Sequence, residues 1–208
     1  MKPILFSTIM VQAILRGEKT QTRRIIKPQP EVDLESGYVF NGKFTCQYDS
    51  HNWKDFFIKD WAKYQVGDIL WVRETWCKTL IQDEEGEKFM YRVDEDPGCI
   101  VKGFGWKPSI FMPKEAARIF LKVTKVRVEK LNDISEEDAF AEGIPRGDKK
   151  ELKWNRLYPD YLYNKRVVSA CLTPQSSYQS LWEKINGKGS WILNPRVWVY
   201  EFERIEKP

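Results

Sequence analysis

The spacing of apolar and polar residues predicts short helices and short strands along one chain. After Ser7, the apolar residues Val11, Ile14 and Leu15 recur at helical spacing, and Gly17 is suited to ending that helix. A second helix is predicted from Ser135, which can cap it, to Glu142, with Gly143 closing it. A third helix ends at Gly187; a capping box of Ser176 and Gln179 is expected at its start, and its buried stripe is Tyr178, Leu181, Trp182 and Ile185.

Alternating residues predict strands at 69–76 and 197–205. The segment 117–131 also reads as a strand, but its apolar residues change parity. The odd set is Ile119, Leu121 and Val123, and the even set is Val126 and Val128. Because a change of parity would turn the side chains to the other face of a sheet, we expect a β-bulge near Thr124-Lys125.

Three stretches without clean periodicity are predicted to be insertions around this core. They are about 28–65, 78–113 and 145–174, with a hairpin expected at Asn41-Gly42 and a short strand at 89–93. The length of 208 residues suits a single domain carrying such insertions. We therefore predict an α+β fold and one domain over residues 1–208.

The composition argues against a membrane-spanning or secreted protein. Polar residues interrupt each apolar stretch well before it could span a bilayer, and no signal-peptide cleavage pattern follows the first helix, so we expect a cytoplasmic protein. The net charge is only +4, but basic residues concentrate in 1–27 and 146–166. Four widely spaced cysteines without a CxxC favour reduced thiols.

Several kinds of chemistry lack the residues they need. His51 is the only histidine, which argues against a Ser-His-Asp triad. No further Cys or His lies at zinc-ligand spacing from Cys46 and His51, and no glycine-rich phosphate loop is present. We therefore predict no metal and no cofactor. What remains is the run 17–24, GEKTQTRR, which is either a solvated basic turn or a site for an anion, a base edge or a nucleophile.

Three motifs in order resemble the ASCH domain of the PUA-like superfamily, in its prophage-encoded branch. They are Gly17-x-Lys19-x-x-Thr22-x-Arg24, Val66-Gly67-Asp68-x-Leu70-x-Val72-x-Glu74, and Asp133-Ile134-Ser135-x-Glu137-x-Ala139-x-x-Glu142-Gly143-Ile144. The resemblance implies a small β-barrel with flanking short helices and a cleft for RNA or a modified nucleoside. By similarity to an ASCH enzyme that deacetylates N4-acetylcytidine, it also implies Lys19 as proton acceptor, Thr22 as nucleophile and Glu142 as proton donor. Other ASCH proteins are thought to cleave or merely bind RNA.

Geometry limits the catalytic interpretation. Side chains three apart on one strand face opposite ways, so Lys19 and Thr22 can share a pocket only if Lys19 precedes the strand. Lysine is a poor base unless burial or neighbouring cations lower its pKa. A Lys19–Glu142 salt bridge would explain the same two residues without catalysis.

For ligand binding we expect five residues to contribute: Arg23, Arg24, Glu74, Trp71 and Trp76. Arginines would meet phosphate or a base edge, and tryptophans would stack on a base. We expect Glu74 to pair with Arg24 or Lys19 and to join Thr22 and Glu142 in one cleft. A non-catalytic phage adaptor that binds another protein through its insertions is a third hypothesis.

Overall fold

The computed structural model describes residues 1–33, 38–40, 45–47, 53–83, 86–94, 105–146, 158–162 and 170–208, and it has an α+β architecture. The strands are β1 Lys2–Leu5, β2 Gln21–Ile25, β3 Glu31–Asp33, β4 Tyr38–Phe40, β5 Thr45–Gln47, β6 Ile69–Arg73, β7 Trp76–Asp83, β8 Gly86–Tyr91, β9 Phe120–Lys130, β10 Tyr158–Pro159, β11 Ala170–Cys171 and β12 Arg196–Ile205. The α-helices are α1 Thr8–Leu15, α2 Trp53–Trp61, α3 Glu136–Ala141 and α4 Pro174–Asn186. Short 3-10 turns cover Arg92–Asp94, Ser109–Phe111, Lys114–Ala116 and Leu131–Asp133.

A five-stranded mixed sheet forms the centre of the fold, in the order β1-β6-β9-β12-β2. β1 runs parallel to β6, and the other neighbours are antiparallel. Within the described ranges the sheet is not closed by backbone pairing, so β1 and β2 are its two edges. The two edges are nevertheless linked, because Nη2 of Arg24 on β2 donates a 2.6 Å hydrogen bond to the carbonyl of Leu5 on β1.

The predicted bulge is confirmed in β9. Val123 pairs with Phe202 and Lys125 pairs with Glu201, so Thr124 is an extra residue on the β9 side. The extra residue returns the apolar side chains to one face. As a result both parity sets, from Ile119 to Val128, are buried in the same core cluster.

Two apolar clusters lie on opposite faces of β12. Trp198, Tyr200 and Phe202 share one face, as the alternation predicts, and pack with Leu70 and Leu121. The other face of β12 joins the cluster that contains the buried side of α4. β2 pairs with β12 along its length and therefore lies between these clusters.

The helices begin where capping chemistry allows. Ser135 caps α3 by accepting from the backbone N–H of Asp138, as expected. The predicted Ser176-Gln179 box of α4 is wrong, because Thr173 and Ser176 form the capping box one turn earlier. Three residues of the predicted α4 stripe are buried, whereas Ile185 is half exposed and lines a cavity described below.

The segment 69–76 is not one strand. It divides between β6 and β7, and Glu74 lies in the connection. The N–H of Glu74 donates to Sδ of Met112 instead of to a neighbouring strand, which interrupts the ladder. The predicted strand 89–93 is likewise displaced, since β8 ends at Tyr91.

Within the insertions the antiparallel pairing of β4 with β5, on either side of residues 41–44, agrees with the predicted hairpin, whereas β3 and α2 were not predicted. β3, β4 and β5 form a small antiparallel sheet, and α2 packs Phe57 into the main core. The turn residues of the predicted hairpin at Asn41-Gly42 lie outside the described residues, as does His51. The basic segment 146–166 is described only at 146 and 158–162. Nowhere in the described parts is there a helix long and apolar enough to cross a bilayer.

Candidate functional site

Lys19 and Glu142 form a buried ion pair just before the start of β2. Their backbones form an isolated β-bridge, and β2 begins two residues later, at Gln21. Lys19 therefore lies before the strand, which is the condition for Lys19 and Thr22 to share a pocket. Nζ of Lys19 lies 2.8 Å from Oε2 of Glu142, and both side chains are inaccessible to solvent at 0% and 1% exposure. The pair joins the turn after α1 to the end of α3.

The ammonium group of Lys19 has a full set of acceptors. Nζ donates to the carbonyl of Gln21 at 2.7 Å, to the carbonyl of Glu142 at 2.8 Å, and to the Glu142 carboxylate. These three bonds use all three protons of a charged lysine. Burial lowers the pKa of Lys19, and the negative charge of Glu142 opposes that shift. The geometry suits a charged Lys19 and leaves it no proton-accepting lone pair.

The guanidinium of Arg23 belongs to a carboxylate network. Its guanidinium lies 2.9 Å from Asp138, 3.1 Å from Glu129 and 3.4 Å from Glu142. Burial raises the pKa of Asp138, but the charges of Arg23 and Arg127 outweigh it and hold that pKa below its usual range. The Arg23 side chain is fully buried and bonded to carboxylates, so its substrate-binding role stays a prediction.

A cavity of about 230 Å³ lies beside this ion pair, and we call it the edge cavity. Its lining residues come mainly from β2, the segment after it, and α4; they are Met10, Thr22, Arg23, Arg24, Ile25, Lys27, Glu142, Tyr178, Leu181, Trp182, Ile185 and Asn186. Four of the predicted site residues, Thr22, Arg23, Arg24 and Glu142, therefore line one cavity. Lys19 reaches it indirectly, through Glu142.

The backbone of β2 adds polar groups to the edge cavity. The carbonyl of Thr20 accepts from Phe202, and the N–H of Ile26 donates to Arg196, so even-numbered residues bond toward β12. By the alternation of an antiparallel ladder, the N–H and C=O groups of Arg23 and Ile25 point away from β12. These groups lie on the free edge of the strand, where an extended or planar partner can pair with them.

A second cavity, of about 380 Å³, lies on the other side of the same residues, and we call it the aromatic cavity. It is lined by Pro3, Ile4, Leu5, Arg24, Ile25, Lys27, Trp61, Lys63, Tyr64, Trp198 and Tyr200. Three of these side chains are cationic, and the described lining contains no acidic side chain. The two cavities share Arg24, Ile25 and Lys27.

Glu74 does not join this site. Its carboxylate forms two 3.0 Å hydrogen bonds with Arg118, which also bonds Asp94. Burial raises the pKa of Glu74, and Arg118 opposes the shift. A cationic partner was expected for this carboxylate, but the expectation that Arg24 or Lys19 provides it is wrong. Glu74 lines neither of the two cavities.

Trp71 and Trp76 are also placed elsewhere. Both are buried, at 6% and 3% exposure, in a cluster with Met112, Ala116 and Phe120. A base cannot stack on either ring without opening that cluster, so the structure contradicts their predicted role. The aromatic residues that line the two cavities are instead Tyr178 and Trp182 on α4, Trp61 and Tyr64 near the end of α2, and Trp198 and Tyr200 on β12.

The sequence held a partial signal for these missed residues. Tyr178 and Trp182 belong to the α4 stripe, which was assigned to the core alone, and Lys27 belongs to the basic segment 1–27. Trp61 and Tyr64 fall in the insertion 28–65, where no periodicity marked α2. Among the described residues no group of His, Cys, Asp and Glu forms a metal cluster, and Cys77 and Cys171 are not in disulfides.

Comparisons with protein-family models, curated proteins and solved structures gave no match for this chain. The resemblance to the ASCH domain therefore stays a prediction, and the class that the structure defines is an α+β protein with a mixed five-stranded sheet.

Proposed function

We propose that this protein binds single-stranded RNA or a modified nucleoside in the edge cavity, on an ASCH-type barrel of the PUA-like class. The observation that carries the proposal is the meeting of three features at β2: a free strand edge, two cationic side chains and two aromatic rings in one cavity. A volume of about 230 Å³ is below the roughly 300–1,000 Å³ of drug-sized ligand sites, which favours a single small planar group.

A nucleobase matches the polar groups that the cavity offers. Base edges carry both donors and acceptors, and the N–H and C=O groups of Arg23 and Ile25 can meet either kind. Proteins that read RNA sequence mostly target unpaired bases, which stack on aromatic side chains. Tyr178 and Trp182 border the cavity, but both are 3% exposed and packed in a core cluster, so they form its apolar wall and not an open stacking surface.

The phosphate is assigned to Arg24 and Lys27. Lys27 is exposed, and Arg24 is half-buried with one of its five donors bonded to Leu5 among the described residues. Arg23 and Lys19 already serve carboxylates, so they add no charge for the ligand. The proposed barrel is supported by the link from Arg24 to Leu5, which brings the two sheet edges together.

Lys27→Ala should weaken binding of a short, fluorescently labelled single-stranded RNA and reduce its dependence on salt. Loss of one phosphate contact lowers the slope of log K against log salt by about 0.7 for a single strand. Fluorescence anisotropy over a series of salt concentrations measures both effects. Lys114→Ala removes an equally exposed charge outside both cavities and should leave the slope unchanged. If Lys114→Ala changes the slope as much as Lys27→Ala, binding is a diffuse surface effect and the assigned site is wrong.

Hydrolysis of an acylated nucleoside such as N4-acetylcytidine is the second candidate, favoured by the presence of Thr22 and Glu142 in one cavity with Lys19 bonded to Glu142. In this reaction Thr22 attacks the acyl carbon, Lys19 accepts the hydroxyl proton, and Glu142 protonates the leaving amine as the C–N bond breaks. Water then hydrolyses the acyl ester of Thr22, which releases the carboxylic acid and restores the hydroxyl. The three acceptors around Lys19 oppose this role, since they suit its protonated form. For that reason we place binding first.

Thr22→Val should lower the rate of deacylation by about a hundredfold or more if Thr22 is the nucleophile. Release of cytidine from N4-acetylcytidine, followed by chromatography, measures the reaction. Thr20→Val is a matched control, because Thr20 is two residues away but is exposed and lines neither of the two cavities. No release by the unaltered protein would leave only the binding proposal, and release that survives Thr22→Val would refute the assigned nucleophile.

A further inference from the structure

The edge cavity and the aromatic cavity meet at the last residues of β2. Arg24, Ile25 and Lys27 line both. These shared residues make the two cavities neighbours, separated by the side chains at the end of β2. Arg24 and Lys27 lie at this boundary, and both are cationic.

The aromatic cavity has its own surface for a planar group. Trp61 is half-buried at the end of α2, and its ring stacks on Phe57 with 6.3 Å between centroids and 23° between planes. Phe57 in turn stacks on Trp198 of the core at 5.2 Å. Trp61 is thus held by packing from the core side while it lines the cavity, as a rigid stacking surface requires.

The position of Arg24 is fixed between the two cavities. Its guanidinium bonds the carbonyl of Leu5 and lies 5.3 Å from the centroid of the Phe6 ring. Arginine binds phosphate through a planar fork of donors, so a held guanidinium gives directional recognition. Lys63, on the rim of the aromatic cavity, adds a further positive charge on that side.

We propose that the two cavities bind two adjacent nucleotides of one RNA strand, with the linking phosphate on Arg24 and Lys27. One base lies in the edge cavity and the next stacks on Trp61 in the aromatic cavity. This inference rests on the proposed function and narrows its ligand from a nucleoside to a dinucleotide step within a strand. Its chemistry combines a base-edge site at β2, a phosphate site and one stacking site on Trp61.

The first test compares ligands of different length on the unaltered protein. The probes are the four ribonucleoside 3′- and 5′-monophosphates and the sixteen dinucleoside monophosphates, each used to displace a labelled single-stranded RNA. A second stacked base should strengthen binding of the best dinucleotide about tenfold or more over the best mononucleotide. Mononucleotides already carry a phosphate, and their monoester bears more negative charge than the diester, so a gain comes from the second nucleoside and not from added charge.

The second test locates that base. Trp61→Ala should reduce the affinity for the best dinucleotide to near the mononucleotide level and leave mononucleotide affinity within about twofold, since a base loses its stacking partner. Trp61→Phe keeps a ring and should retain most of the gain. Trp106→Ala is the control, because Trp106 is also half-buried but lies outside both cavities. Retained mononucleotide affinity shows that each variant is folded.

The outcomes separate this inference from the proposed function. Equal affinity for mononucleotides and dinucleotides, or a dinucleotide gain that Trp61→Ala leaves intact, overturns the two-nucleotide site while single-base binding stands. Absence of binding by any probe, including the longer labelled RNA at low salt, overturns both. The inference is supported if the dinucleotide binds more tightly than the mononucleotide, and if this gain in affinity is lost in Trp61→Ala and kept in Trp106→Ala.

Discussion

Lys19→Met should lower the free energy of unfolding by about 3–5 kcal/mol, the cost of removing one partner from a buried ion pair. The substitution leaves the Glu142 carboxylate at 1% exposure with only the longer 3.4 Å contact to Arg23. It also leaves the carbonyls of Gln21 and Glu142 without the donor that they share. Urea denaturation followed by circular dichroism measures the loss.

Lys2→Met is the matched control for this result. Lys2 pairs with Asp68 at 2.6 Å, a similar distance, but those side chains are 44% and 25% exposed. An exposed pair of this kind contributes about 0–1 kcal/mol. Equal losses in the two variants would contradict the view that burial makes the Lys19–Glu142 pair important for stability.

Gly143→Ala should destabilise the protein more than the same change at Gly187, although both glycines have positive φ angles, +95° and +100°. A Cβ at Gly143 would lie 2.9 Å from Cβ of Ala13 and 3.2 Å from Cβ of Lys19, whereas nothing lies within 4 Å of a Cβ at Gly187. Both variants incur backbone strain of about 1–3 kcal/mol. Only Gly143→Ala adds overpacking, of about 1–3 kcal/mol more.

Denaturation midpoints of the two glycine variants test this difference. Because the obstructing atoms belong to the stem of Lys19 and to α1, Gly143→Ala should also displace the ion pair and weaken RNA binding. Gly187→Ala should leave RNA binding intact. Equal destabilisation by the two changes would show that strain alone determines the cost and that the close approach at Gly143 relaxes freely.

The sequence predicted those features that depend on neighbouring residues. The bulge at Thr124 followed from the change of apolar residues from odd to even positions. A single extra residue in the strand keeps both sets on the same face of the sheet. The cap at Ser135 followed from local hydrogen-bond chemistry. The sequence allowed two roles for Lys19 and Glu142, a catalytic pair or a salt bridge. The hydrogen bond between their side chains favours the salt bridge.

The features that the sequence did not predict depend on distant partners. Glu74 pairs with Arg118, 44 positions away, and no local pattern distinguishes that arginine from Arg24 as a partner. Trp71 and Trp76 are residue types that can stack on a base, but both pack in a cluster with Met112. Exposure of an aromatic ring is decided by what packs over it, and that information lies in other segments of the chain.

The place of β12 in the sheet governs when this protein can fold during synthesis. β12 lies between β9 and β2 and hydrogen bonds with both, yet it follows them in the chain. β2 therefore emerges from the ribosome long before its partner and must stay unpaired until residues 196–205 are released. Both cavities border β2, and β12 supplies Trp198 and Tyr200 to one of them, so the cavities are incomplete until that late strand inserts. Such non-local pairing makes folding slow and exposes strand edges to other chains in the meantime.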